Sequence, residues 1–245
     1  MLKILPLCLV FVVISARADV VINEISASQT DRLLRWDADD QPYAGAGHPW
    51  WSAEFDDTNW QSGATPLGFD LGTITTNLRS VMRGVTPSVY TRQTFTASAS
   101  DAASGGDLTL SINCNDGFIV WLNGTELARC NLGPEKAHIY ADQLAYRGAG
   151  NSTNPVDFNL GAASGALVAG DNVLAIQVSN SDIDSSLRLE MSLTLGATQL
   201  IPFGSTVNYL PGLVEPSSDI TEPADLAAGT SDWIELHNNG PTAID

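Results

Sequence analysis

The stretch from Asn113 to Cys130, Asn-Cys-Asn-Asp-Gly-Phe-Ile-Val-Trp-Leu-Asn-Gly-Thr-Glu-Leu-Ala-Arg-Cys, constrains this chain most. It reads as three short strands joined by two tight turns. Asn115-Asp116-Gly117 supplies the first turn, because Gly and Asn tolerate positive φ and Asx side chains bond their own backbone. Asn123-Gly124, set between apolar runs, is the strongest short-range hairpin signal. Between the turns, Phe118 to Leu122 is an unbroken apolar run of aromatic and aliphatic residues. That pattern fits a strand covered on both faces.

Other segments repeat the two-residue period. In Leu187 to Leu195, Leu187, Leu189, Met191, Leu193 and Leu195 share one face, and Arg188, Glu190, Ser192 and Thr194 the other. Val89 to Thr96 alternates Val89, Thr91, Gln93 and Phe95 against Tyr90, Arg92, Thr94 and Thr96. Leu108 to Ile112, Val156 to Leu160 and Val173 to Val178 read as further strands. Ala97 to Gly106, with no large side chain, reads as a linker-like loop. Asn77 to Met82 reads as a helical turn, and Arg32 to Trp36 as one strand in an irregular region. Gly133 to Asn154 reads as a long loop, which in a compact domain is functional or mobile. Residues 201–229 hold Pro202, Pro211, Pro216 and Pro223 and read as an inter-domain linker. The predicted class is all-β.

At the N-terminus, Lys3 precedes an apolar core from Ile4 to Ile14, and Ala16-Arg17-Ala18 has the small-x-small pattern of a signal peptidase site. The apolar run is too short for a bilayer anchor, which takes about 20 residues. Residues 1–18 are therefore predicted to be cleaved after Ala18, leaving a secreted chain. The formal charge is −17; losing Lys3 and Arg17 takes the basic residues from 11 to 9 against 28 acidic, a balance of −19. Such a chain repels nucleic acid and anionic membrane, whose protein affinity comes largely from Lys and Arg. Export also makes a Cys114–Cys130 disulfide the expectation. If both cysteines lay in one meander, two strand spacings of about 4.8 Å would separate them. That exceeds the disulfide reach of about 7 Å between Cα atoms. A bridge would then need the first strand to leave the sheet; the alternative is two buried thiols.

The central hairpin, with Glu126-Leu127-Ala128-Arg129 and Asn131 after it, resembles that of galactose-binding-like β-sandwich modules of large secreted bacterial proteins. Asp56-Asp57-Thr58-Asn59-Trp60 through Pro66-Leu67-Gly68 is similar to the family's opening segment. Tyr90-Thr91-Arg92-Gln93-Thr94-Phe95 resembles its first core strand, and Ala169-Gly170-Asp171-Asn172 through Val178 its late core strand. The resemblance implies a jelly-roll sandwich over residues 31–200. It also implies a structural Ca²⁺ near the start of the sandwich, with Asp56, Asp57 and Glu190 as donors. Val20-Val21-Ile22-Asn23-Glu24-Ile25 and Ser231-Asp232-Trp233-Ile234-Glu235-Leu236-His237-Asn238 together resemble the first two strand motifs of a lamin-tail domain, an immunoglobulin-like sandwich. Either the galactose-binding-like module is inserted after the first motif, within residues 19–30, or that motif is only an echo. The second motif, in residues 230–245, runs out at Asp245, so the lamin-tail part reads as incomplete and the chain as a fragment.

No catalytic motif stands out. His48, His138 and His237 lack zinc spacing, and no nucleophile elbow or phosphate loop occurs. Trp36, Tyr43, Trp50 and Trp51 lie in a loop-rich stretch that could form a sugar-stacking platform. For Trp51 and Trp60 the competing role is to plug the core. The expected function is a secreted, non-catalytic, monomeric module that binds carbohydrate or another cell-surface component, without nucleic acid or membrane insertion. The alternatives are a structural spacer of a surface protein, or the accessory part of a secreted enzyme whose catalytic domain lies beyond Asp245.

Overall fold

The computed structural model describes residues 20–25, 48–148, 153–213, 216 and 234–238. These form two units. In the first, β1 (Val20–Ile25) pairs antiparallel with β14 (Ile234–Asn238), from Val20 opposite Asn238 to Ile25 opposite Ile234. The second lies within Leu33–Ala228.

The second unit begins with β2 (Gln61–Ala64), β3 (Leu67–Phe69), β4 (Thr76–Asn77) and α1 (Arg79–Met82). There follow β5 (Ser88–Ala97), α2 (Ala99–Ala102), β6 (Asp107–Asn115), β7 (Gly117–Leu122) and β8 (Thr125–Cys130). It closes with β9 (Val156–Ala162), β10 (Gly170–Ser179), β11 (Leu187–Leu195), β12 (Thr198–Ile201) and β13 (Thr206–Pro211). One sheet has the order β2-β13-β5-β10-β7-β8; the other is β4-β3-β11-β6-β9, with β12 on β11. All pairs are antiparallel except β3 with β4. Two sheets sharing one core make this an all-β sandwich. Among the described residues no helix is long and apolar enough to cross a membrane.

Period-two alternation builds the shared core. The five apolar residues of β11 meet Leu108, Leu110 and Ile112 of β6, and facing them are Phe118, Val120 and Leu122 of β7 and Leu174, Ile176 and Val178 of β10. Full burial of each such side chain contributes on the order of 1.5–3 kcal/mol. The first sheet has a second covered face. There Tyr90, Ile119, Trp121 and Ala175 pack with Trp50 and Phe55 on one side, and with Leu132, Ile139, Ala141 and Ala145 on the other. A sheet covered on both faces needs apolar residues at every position, which accounts for the unbroken run Phe118 to Leu122. The turn between β7 and β8 has φ of 50° at Asn123 and 88° at Gly124, the two positive values of the tight hairpin turn that Asn-Gly favours.

The structure adds to the sequence reading in two places and corrects it in two more, at α2 and β13. The segment Asn113 to Cys130 does give three strands joined by two turns, but not in one sheet: β6 belongs to the second sheet and β7 and β8 to the first, so the chain changes sheets at Asn115-Asp116-Gly117. The loop at Ala97 to Gly106 holds α2, started by a capping box in which Ser98 Oγ accepts from the Asp101 N–H and Asp101 accepts from the Ser98 N–H. Residues 206–211, read as linker, form β13 between β2 and β5, burying Val207 and Tyr209. Its proline sits at the strand end, where a missing N–H is tolerated. The loop that starts at Gly133 contributes Ile139, Ala141 and Ala145 to a core. The expected strand Arg32 to Trp36 and the leader segment lie outside the described residues.

Candidate functional site

Two arginines, the buried Arg92 and the partly buried Arg129, hold the covering segments onto the outer face of the first sheet. Arg92 of β5 lies two strands from Trp121, in the row Trp121–Ala175–Arg92. Its Nε donates to Asp57 Oδ2 at 2.8 Å, Nη1 donates to the carbonyls of Trp50 and Ser52, and Nη2 to that of Phe55 at 3.3 Å. The guanidinium also lies 5.3 Å from the centre of the Phe55 ring. A planar fork with five donors can satisfy several loop carbonyls at once, which an ammonium cannot. The 50–57 segment is thereby held at four of its residues.

Arg129 does the same for the following loop. Its Nε and Nη2 form a bidentate pair with Glu126 at 2.8 and 2.9 Å, while Nη1 donates to Leu132 O at 3.1 Å and Nη2 to Ala137 O at 2.8 Å. Residues three apart on a regular strand point to opposite faces. Here β8 carries a bulge: Val120 pairs with Ala128 and Trp121 with Glu126, leaving Leu127 as the extra residue. The bulge brings Glu126 and Arg129 to the face of Ile119 and Trp121.

The two segments flank an aromatic floor. Trp50 is buried, with its ring 4.9 Å from Tyr90 and 5.1 Å from Trp121. Trp51 is half-buried and stacks on Trp121 with ring centres 5.3 Å apart and planes at 16°. His138 lies 6.4 Å from Trp51 and 4.6 Å from Tyr140. Beside this floor is a cavity of about 140 Å³ lined by Trp51, Trp121, Glu126, Lys136, His138 and Gln177, among others. An adjoining cavity of about 370 Å³ shares Glu126, Arg129 and Lys136 with it. Its size falls within the ~300–1,000 Å³ usual for ligand clefts.

The four aromatic residues of the expected platform thus separate. Trp50 belongs to the core, because Arg92 draws its backbone carbonyl inward and four aromatic rings, those of Trp51, Trp60, Tyr90 and Trp121, surround it. Trp51 stands at a cleft. Trp36 and Tyr43 lie outside the described residues. Trp60 packs against the same core as Trp50, at 6.2 Å.

The three carboxylates expected to hold calcium do not converge. Asp57 is engaged by Arg92 of the first sheet and Glu190 by Arg188 of the second, at 2.7 Å. Asp56 caps the Thr58 N–H at 3.0 Å, and that bond holds its carboxyl below the usual carboxylate range. Among the described residues no group of three or more His, Cys, Asp or Glu side chains could hold a metal ion, so this donor set does not fit calcium.

Cys114 and Cys130 are free thiols, not the expected disulfide. The chain does change sheets between them, but they then sit on different sheets, and the Cys114 thiol donates to Gly117 O at 3.5 Å. Burial pushes the Cys114 thiol well above its ordinary value, helped by the charge of Asp116.

Fold and site together define an all-β two-sheet sandwich whose outer face carries an aromatic-floored cleft. No family model matches the chain, and no curated protein matches it. Among solved structures, one similar chain is the α-L-rhamnosidase of Streptomyces avermitilis, complexed with L-rhamnose. The likeness has 20% identity and a TM-score of 0.35, and covers 56% of this chain and 11% of that one.

The sequence did not single out Glu126, Arg129, Lys136 or Gln177 as site residues. A Glu-x-x-Arg pair in a strand carries no signal for a shared face unless the bulge is known.

Proposed function

We propose that this chain is a secreted, non-catalytic module that binds carbohydrate, on a cell surface or in its surroundings, within a larger multidomain protein. One observation carries the reading: the half-buried Trp51 ring, stacked on Trp121 and bordered by the polar side chains of a cleft. Sugars present CH faces to aromatic rings and hydroxyls to a few fixed polar groups. The floor is rigid, since Arg92 and Arg129 anchor both flanking segments, and preorganisation lowers the cost of binding. The fold fits a galactose-binding-like jelly roll. Pairing of β1 with β14 across the whole intervening sandwich is what an insertion into a lamin-tail-like domain would require. The test is calorimetric titration of the full chain with a panel of oligosaccharides, beside Trp51→Ala. Binding by the parent and its loss in a folded Trp51→Ala supports the reading; silence across the panel, or binding that survives the substitution, sinks it.

A further inference from the structure

Lys136 gives the cleft a sign. Of the arginines in the described part of the sandwich, Arg79 and Arg83 pair with Asp70, Arg92 with Asp57, Arg129 with Glu126 and Arg188 with Glu190. Lys136 and Arg147 form no ion pair among the described residues. Of these two, Lys136 lines both cavities.

The loop that presents Lys136 is held in place. Arg129 binds the carbonyls of Leu132 and Ala137 on either side of it, and the Ala137 N–H closes a turn on Pro134 O at 3.2 Å. Lys136 itself has φ of 63°, a left-handed value that L residues seldom adopt outside turns. Glu126 is neutralised by its bidentate arginine. Glu135 lines the larger cavity and not the one beside Trp51. The Trp51 cavity therefore carries Arg129 and Lys136 against the single carboxylate of Glu126, in a chain whose formal charge is −17. Long-range repulsion of an anion by that charge is screened beyond about 8 Å at physiological ionic strength, so the cation at contact decides.

We infer that the cleft selects an acidic saccharide: a sugar ring lies on Trp51 while its carboxylate or sulfate group meets the Lys136 ammonium. The inference rests on the carbohydrate reading and narrows it. A cavity of about 140 Å³ is well under the ~300 Å³ at the low end for ligand clefts, so it suits one ring, with the adjoining cavity of about 370 Å³ open to a neighbouring unit.

The experiment titrates the full chain with three probes: an oligogalacturonate, its methyl ester and a sulfated oligogalactan. An acidic probe should bind about tenfold more tightly than the ester, the scale of one charge-assisted hydrogen bond. The preference should shrink with added salt. Lys136→Gln should bring acid and ester to equal affinity, and Trp51→Ala should remove binding of both. Which acidic probe wins tells carboxylate from sulfate. If the ester binds as well as the acidic probes, or Lys136→Gln leaves the preference intact, the acidic inference falls while the carbohydrate reading stands. If no probe binds and the broader oligosaccharide panel is silent too, both fall. If neutral sugars of that panel bind and the acidic probes do not, only the acidic inference falls.

Discussion

The Trp51 ring lies on the Trp121 ring, nearly parallel and 5.3 Å away, while its chain neighbour Trp50 points inward to meet Tyr90 at 4.9 Å. Two consecutive tryptophans thus have different tasks. Trp50→Ala removes a fully buried ring and should cost about 3–5 kcal/mol of stability. Trp51→Ala removes a half-exposed ring and one stacking contact, and should cost about 1 kcal/mol. Urea unfolding of both variants checks the ordering, and equal losses would place Trp51 in the core.

Arg92 and Arg129 are each worth more than a surface ion pair, because each leaves several buried or partly buried acceptors behind when removed. Arg92→Met strands the Asp57 carboxylate and the carbonyls of Trp50, Ser52 and Phe55; Arg129→Met strands Glu126 and the carbonyls of Leu132 and Ala137. Arg92→Met should destabilise by roughly 3–5 kcal/mol, the scale of a broken buried pair, and Arg129→Met, whose partners are only partly buried, by less. Their local effects should differ. Hydrogen exchange should speed up in residues 50–57 for the first variant and in 132–139 for the second. Losses below about 1 kcal/mol would show that the covering segments hold without them.

Gly68 sits in β3 with φ of 140°, and a Cβ there would lie 2.0 Å from the Leu187 carbonyl oxygen. That carbonyl belongs to the main chain of β11, which pairs with β3 and cannot rotate away. Gly68→Ala should therefore be among the most damaging glycine substitutions, parting β3 from β11. Gly124→Ala is the comparison: its φ is 88°, yet the nearest atom to its Cβ, Ser52 Cα, is 3.9 Å off. Only backbone strain of about 1–2 kcal/mol applies there. Thermal melts should rank Gly68→Ala well below Gly124→Ala.

How far the sequence announces this architecture depends on periodicity. The β11 leucines and the doubly covered β7 are legible because their patterns follow directly from which faces meet other layers. Asn123-Gly124 is legible because few other dipeptides accept two positive φ values. The division of labour between Trp50 and Trp51 is not, since they lie outside any regular element and no period says which one turns inward. The Glu126–Arg129 pair is hidden by a bulge that only the register with β7 reveals. β13 is masked by Pro211 at its end and Pro202 before it, although Val207 and Tyr209 already alternate. The expected calcium donors fail for another reason: an arginine claims Asp57 and another claims Glu190, and neither pairing leaves a mark in the local sequence.

The two thiols should differ in reactivity. Cys130 is exposed on β8, whereas Cys114 is held protonated by burial. Under non-reducing conditions at neutral pH, alkylation followed by intact-mass analysis should show Cys130 modified quickly and Cys114 slowly. The Cys114 rate should climb only as pH passes well above the ordinary thiol value of 9.0. The sign for stability follows. The folded state keeps this thiol protonated, so its contribution is whole below the unfolded value and is lost as pH rises through the folded one. A native chain with neither thiol alkylatable until reduced would restore the disulfide.

Strand β13 gives the sharpest contrast with a linker. Val207 is buried in the shared core, and the strand carrying it bonds β2 on one side and β5 on the other. An aspartate at that position would bring an unpaired charge among leucines and aromatic rings, at a cost of several kcal/mol. Thr206, one residue earlier, is exposed and points to the opposite side of the strand. Val207→Asp should therefore abolish or severely weaken cooperative unfolding of the sandwich, while Thr206→Asp should shift its midpoint little. Were residues 201–213 a tether between domains, the two substitutions would be equally silent, and a pair of matched melting curves separates the cases.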